Sequence, residues 1–142
     1  MREMTEKDLE QVIALEKLCF KDPWLEKECL YELNENPFSH GFVLEDEGEI
    51  VAYAFFWETF EIAQLARIGV NPEKRKKGYG SILMKEMMDH ARENECEFIS
   101  LDVRATNVAA QALYTKFGLI EVNRSKKYYA DGEDAIVMSG AL

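Results

Sequence analysis

Four cations in succession, Lys74, Arg75, Lys76 and Lys77, stand directly before Gly78-Tyr79-Gly80, and the residues after them carry apolar side chains at helical spacing. A helix N-terminus already bears about half a positive charge and four unpaired backbone N–H groups, so cations placed there are repelled. An anion seated on the helix end removes that conflict. Glycines at 78 and 80 let the backbone come close, and helix-end amides point at phosphate oxygens. The chemistry implied is the binding of a phosphate ester. A P-loop, GxxxxGK followed by Ser or Thr, is absent, and a dinucleotide GxGxxG fails at its third glycine, where Leu83 stands. A P-loop nucleotidase and a Rossmann oxidoreductase are thereby excluded.

The elements that must position this loop can be read from periodicity. Thr5 caps a helix carrying Leu9, Val12, Ile13, Leu15 and Leu18 and running to about Phe20, and a second helix covers Trp24 to about Leu33. Strands follow at 40–46 and 49–58, joined by Glu47-Gly48, and at 63–70. The helix after the cationic loop, with Ile82, Leu83, Met87, Met88 and Ala91 on one face, spans about Tyr79 to Asn94. Next come a strand at 98–104, a helix capped by Asn107 and stopped by Gly118, and two strands at 119–129 and 134–140. The order predicts an α/β (α+β) layer, helices on a mixed sheet, in one domain spanning 1–142.

Composition narrows the function. With 17 basic and 27 acidic residues the net charge is −10, which repels nucleic acid and suits a cationic partner such as a basic peptide. No apolar run approaches the ~20 residues of a membrane span, and the first residues do not resemble a secretory signal, so a cytoplasmic protein is expected. Cys19, Cys29 and Cys96 form no CxxC pair and are expected as reduced thiols. His40 and His90 lack the neighbours of a triad or metal site, and no metal is expected.

The segment IGVNPEKRKKGYGSILM resembles the acetyl-CoA loop of the GNAT superfamily, with Arg75, Gly78 and Gly80 on the superfamily's pattern of Arg or Gln, two residues, Gly, one residue, and Gly or Ala. LDVRATN, AQALYTKFGL, KKYYADG and EDAIVM, in this order and spacing, together with the helix-break-Trp opening at Pro23-Trp24, are similar to RimI-type protein N-terminal acetyltransferases. The resemblance implies the GNAT fold, a mixed, mostly antiparallel sheet of about six to seven strands flanked by about four helices. It implies acetyl-CoA as co-substrate, held by backbone groups of Ile68, Gly69 and Val70, and by Arg75, Lys76, Lys77, Gly78, Tyr79, Gly80 and Ser81 at the pyrophosphate. Asn107 matches a position near the thioester, and Tyr114 matches the proton donor to the departing thiolate. Asp102 stands where the family usually has a glutamate base; one methylene shorter, it favours a water relay. The alternative for Asp102 is pairing with Arg104 or a neighbouring strand, and for Tyr114 a place in the core. Trp24, Tyr128 and Tyr129 become substrate contacts by the same resemblance, with ordinary aromatic packing as their alternative.

Acyl transfer from a thioester needs a neutral amine. An α-amine with pKa near 8 is about one-tenth neutral at pH 7, whereas free lysine is only ~1 in 2,500 neutral. The expected acceptor is a protein N-terminus, by resemblance the alanine of a basic small-subunit ribosomal protein, acted on by a monomer or weak dimer. Rival readings are acetylation of a small amine or lysine side chain, and a non-catalytic acyl-CoA-binding module.

Overall fold

A computed structural model describes residues 1–142. Seven strands lie in the order β1-β2-β3-β4-β5-β7-β6, and four α-helices accompany them. The residues group into two compact units, Met1–Trp57 with Ala66–Met87, and Glu58–Leu65 with Met88–Leu142.

In the first unit, a 3-10 turn at Glu6–Asp8 leads into α1 at Leu9–Cys19. Asp8 accepts from the Thr5 amide at 2.8 Å, closing the turn that satisfies the exposed N–H groups. Leu9, Val12 and Leu15 face inward, and they join Met4, Cys29, Val43, Ile50, Tyr53 and Phe55 in one apolar cluster. Helix α2, Glu26–Asn34, starts two residues later than the periodicity predicts. Pro23 and Trp24 are held outside it, and Glu28 accepts from the Leu25 amide at 2.8 Å to begin it there.

Strands β2, Ser39–Asp46, and β3, Glu49–Thr59, form the predicted hairpin, and Glu47 and Gly48 take φ of 53° and 80° as its tight turn requires. Residues Ile50–Phe56 of β3 are all buried, the signature of a strand covered on both faces. Strand β1, Arg2–Glu3, escaped the sequence reading because two residues show no period. It pairs antiparallel with Val43 and Phe42, and Arg2 ties it down through Asp8 and Glu45.

Strand β4, Ile62–Val70, runs from the second unit into the first. In the second unit it pairs in parallel with β5, Phe98–Arg104, from Ile62↔Phe98 to Leu65↔Leu101. Parallel neighbours need a long crossover, and the chain supplies it with α3, Tyr79–Glu93, as predicted. Strand β7, Ala135–Ala141, pairs antiparallel with β5 and with β6, Ile120–Ser125. The predicted last strands need one correction: β6 ends at Ser125, so Tyr128 and Tyr129 lie in the loop to β7. Lys127 has φ of 52° and its amide donates to Asp134 Oδ1 at 3.0 Å, which turns the chain out of the ladder. Helix α4, Val108–Lys116, begins where Asn107 Oδ1 accepts from the Ala110 amide at 3.2 Å. No helix is long and apolar enough to cross a membrane.

The Arg2 guanidinium holds the Asp8 carboxyl at about 2, well under its ordinary value of 3.8. A carboxyl whose folded pKa is depressed stabilises the fold above its unfolded pKa and loses that contribution as pH falls toward the folded one. Acid titration of the denaturation midpoint should therefore show a decline between about pH 4 and pH 2 that Asp8→Asn makes shallower.

Candidate active site

The ladder of β4 with β5 ends at Leu65↔Leu101, so on that edge residues 66–70 have no strand partner for their N–H and C=O groups. This is the stretch that contains Ile68, Gly69 and Val70. Gly69 is needed on steric grounds: a Cβ there would lie 2.6 Å from the Tyr53 ring. The Val70 carbonyl accepts from Cys19 Sγ and from Arg75 Nε, each at 3.3 Å. Arg75 is thus anchored by its Nε to the end of the strand.

After β4, the Asn71 amide donates to the Val51 carbonyl at 2.8 Å, and Asn71 Oδ1 caps a 3-10 turn at Pro72–Lys74. The chain then takes left-handed φ of 67° at Lys76 and 82° at Gly78 before α3 begins at Tyr79. Alternation of left- and right-handed residues is the backbone pattern that turns successive N–H groups to one side in anion-binding nests. Lys74, Lys76 and Lys77 form no ion pair within the chain, and the last two are exposed. Tyr79 and Gly80 open the helix, and the Tyr79 phenol donates to Asp46 at 2.5 Å. Ser81 lies in the same first turn.

In the second unit, Asp102 sits on the outward face of β5, opposite Val137, exposed and without a hydrogen bond or ion pair. The alternative of an Asp102–Arg104 pair is overturned. Arg104 instead binds Asp131 at 2.9 Å and Glu133 at 3.0 Å, and its guanidinium lies 4.0 Å from the centre of the Tyr129 ring. Glu133 also accepts from the Thr106 amide at 2.8 Å, and Thr106, with Arg104 behind it, holds its carboxyl below the usual range. These contacts fasten the loop carrying Tyr129 to the end of β5 and the start of α4. Tyr128, its ring 5.1 Å from that of Tyr129, is exposed.

Tyr114 on α4 is 4% exposed, and its hydroxyl makes no hydrogen bond. Burial, with Tyr129 nearby, raises its pKa, so it stays a phenol at neutral pH and suits donating a proton rather than taking one. Asn107, with Oδ1 used in the cap, keeps an amide Nδ2 as donor. The thiols offer no rival nucleophile: burial pushes Cys29 up to about 11 and raises Cys19 and Cys96 as well.

Trp24 is half-buried. Its ring packs 5.4 Å from that of Phe55, and it also lines a cleft of about 860 Å³ along α2 with Tyr31, Trp57, Glu28, Glu32 and Glu35. No residue of the 68–81 stretch lines this cleft. Two side chains of the first unit went unnoticed in the sequence. Glu16, fully buried, accepts from the Trp24 amide at 2.7 Å and from Arg67 Nε at 3.3 Å. The signal for it was a carboxylate seven residues after Leu9 and four after Val12, on the apolar stripe of α1.

The first unit thus carries an unpartnered strand edge and a glycine-bearing cationic turn onto a helix, and the second an unpaired carboxylate and a protonated phenol. The chain belongs to the acetyltransferase (GNAT) family, whose model matches residues 9–119. It is an acetyl-CoA-dependent N-acetyltransferase. A relative in Bacillus subtilis (strain 168) is 35% identical over 139 residues, spanning 97% of this chain and 92% of its own. The ribosomal protein bS18-alanine N-acetyltransferase of Escherichia coli (strain K12) is 32% identical over 135 residues, 93% of this chain and 90% of that one. The crystal structure of the ribosomal-protein-S18-alanine N-acetyltransferase from Escherichia coli superposes with a TM-score of 0.90 at 29% identity, covering 99% of this chain and 91% of that one.

Replacing Gly69 by Ala forces the Tyr53 ring out of its place. Urea denaturation of Gly69→Ala should show a loss of about 1–3 kcal/mol, the usual range for overpacking a filled interior.

Proposed function

We propose that this enzyme moves the acetyl group of acetyl-CoA to the N-terminal α-amine of a protein, a basic small-subunit ribosomal protein beginning with alanine, in the cytoplasm. The observation that carries the reading is Asp102, a carboxylate left unpaired on an exposed strand face while the adjacent cation, Arg104, is saturated by Asp131 and Glu133. A base held in that state is available to an incoming ammonium group. The likeness to the Escherichia coli enzymes along nine-tenths of the chain supports the choice of acceptor.

In this scheme the open edge at Ile68, Gly69 and Val70 receives the pantetheine amides, and Arg75, Lys76, Lys77 and the amides of Gly78–Ser81 receive the pyrophosphate. Asn107 donates from Nδ2 near the thioester. Asp102, through one water, takes a proton from the α-ammonium, and the free amine attacks the thioester carbonyl. A backbone N–H near Val70 stabilises the oxyanion. The C–S bond then breaks as the amide forms, Tyr114 gives its proton to the CoA thiolate, and the second proton shed by the attacking nitrogen returns through water to the phenolate. Trp24, Tyr128 and Tyr129 contact the acceptor peptide. The net acidic charge draws a basic acceptor in.

The test offers acetyl-CoA with three acceptors: a basic alanine-first peptide, the same peptide with its α-amine blocked and one internal lysine, and a polyamine. Mass spectrometry should find acetyl groups on the free α-amine only. Transfer to the blocked peptide or the polyamine would show a different acceptor class, and CoA binding without any transfer would show a binding module. Tyr114→Phe should lower kcat by ~10²-fold while acetyl-CoA binding persists, and unchanged turnover would remove Tyr114 from the scheme.

A further inference from the structure

Glu16 is a carboxylate with no exposed surface in the middle of an apolar cluster, and a buried charge survives only where several partners meet it. Its partners come from three places in the first unit. The Trp24 amide donates to Oε1 at 2.7 Å, Arg67 Nε of β4 donates to the same oxygen at 3.3 Å, and the Tyr53 hydroxyl of β3 donates to Oε2. Arg67 reaches further: its Nη2 donates to the Asp22 carbonyl at 2.7 Å, and its guanidinium covers the rings of Phe20 at 3.9 Å and Trp24 at 5.1 Å.

The segment from Phe20 to Leu25 belongs to no helix or strand. Its placement depends on these side-chain bonds, whereas residues 67–70 are held in β4 by the sheet itself. We infer that Glu16, acting through Arg67, is a positioning residue of the transferase that clamps the 20–24 segment onto β4 and so sets Trp24 for the acceptor peptide. The inference rests on the proposed acceptor role of Trp24. Glu16 itself touches neither substrate. Because the sheet secures the donor side and the clamp secures the segment, weakening the clamp separates the two Michaelis constants.

Two variants test this. Glu16→Gln keeps the shape and removes the charge, and Arg67→Lys keeps a counter-charge for Glu16 but cannot reach both Glu16 and Asp22 as a fork does. Each should raise KM for the alanine-first peptide by about fivefold or more, with KM for acetyl-CoA within about twofold of native. In a Trp57→Phe background Trp24 is the single tryptophan, and its fluorescence should become more accessible to acrylamide in both variants. A merely stabilising residue would lower Tm and leave the ratio of the two KM values alone. Unchanged peptide KM, or equal rises in both constants, would overturn the inference with the acetylation activity intact. Should Glu16→Gln fail to fold, Arg67→Lys decides by the same readings. If the native enzyme uses no peptide, the proposed function falls, and the quenching measurement alone decides whether the clamp exists.

Discussion

Every buried backbone amide and carbonyl needs a partner, and β4 meets that requirement in two different ways along its length. Over Ile62–Leu65 its outer edge is paired in parallel with β5; over residues 66–70 the same edge has no strand. A strand that loses its neighbour halfway exposes a row of donors and acceptors that an extended amide chain can complete. The pantetheine arm of CoA is such a chain. Gly69, in close contact with Tyr53, and Val70, whose carbonyl anchors Arg75, lie on this half-strand, so the open edge follows from where one ladder stops.

The loop beyond it answers an electrostatic requirement in the same manner. Lys76 takes a left-handed φ that a residue with a side chain adopts at some cost, and Lys76 and Lys77 find no acid in the chain although 27 acidic residues are present. Elsewhere the acids are put to use: Asp8, Glu16, Glu58, Asp131 and Glu133 all meet cations or histidine. The unpaired cations of this turn are what supports the proposal that an external anion is held there.

What could be read from the residues in order was local. The hairpin at Glu47-Gly48, α3 after the glycines and the Asn107 cap each carry their cause within a few positions, so periodicity and turn chemistry found them. What escaped was set by distant partners. The strand β1 exists because Arg2 reaches Asp8 and Glu45; the last tyrosines leave the ladder because Asp134 captures the Lys127 amide; Arg104 turns from Asp102 to acids 27 and 29 positions away. The motif order identified the family, but the freedom of Asp102 depends on contacts that no spacing within LDVR encodes.

Glu16 shows the same limit and a physical reason behind it. On energy alone a buried ion pair is a poor device, since removing both charges from water costs several kcal/mol per ion and a well-packed apolar pair often does as well. An apolar pair, however, could not bond to the Trp24 amide, the Tyr53 hydroxyl and, through Arg67, the Asp22 carbonyl at once. Directional bonds fix a segment that has no regular structure of its own, where dispersion contacts would let it slide. The clamp therefore has its value in geometry, and it places a tryptophan at the rim of the α2 cleft.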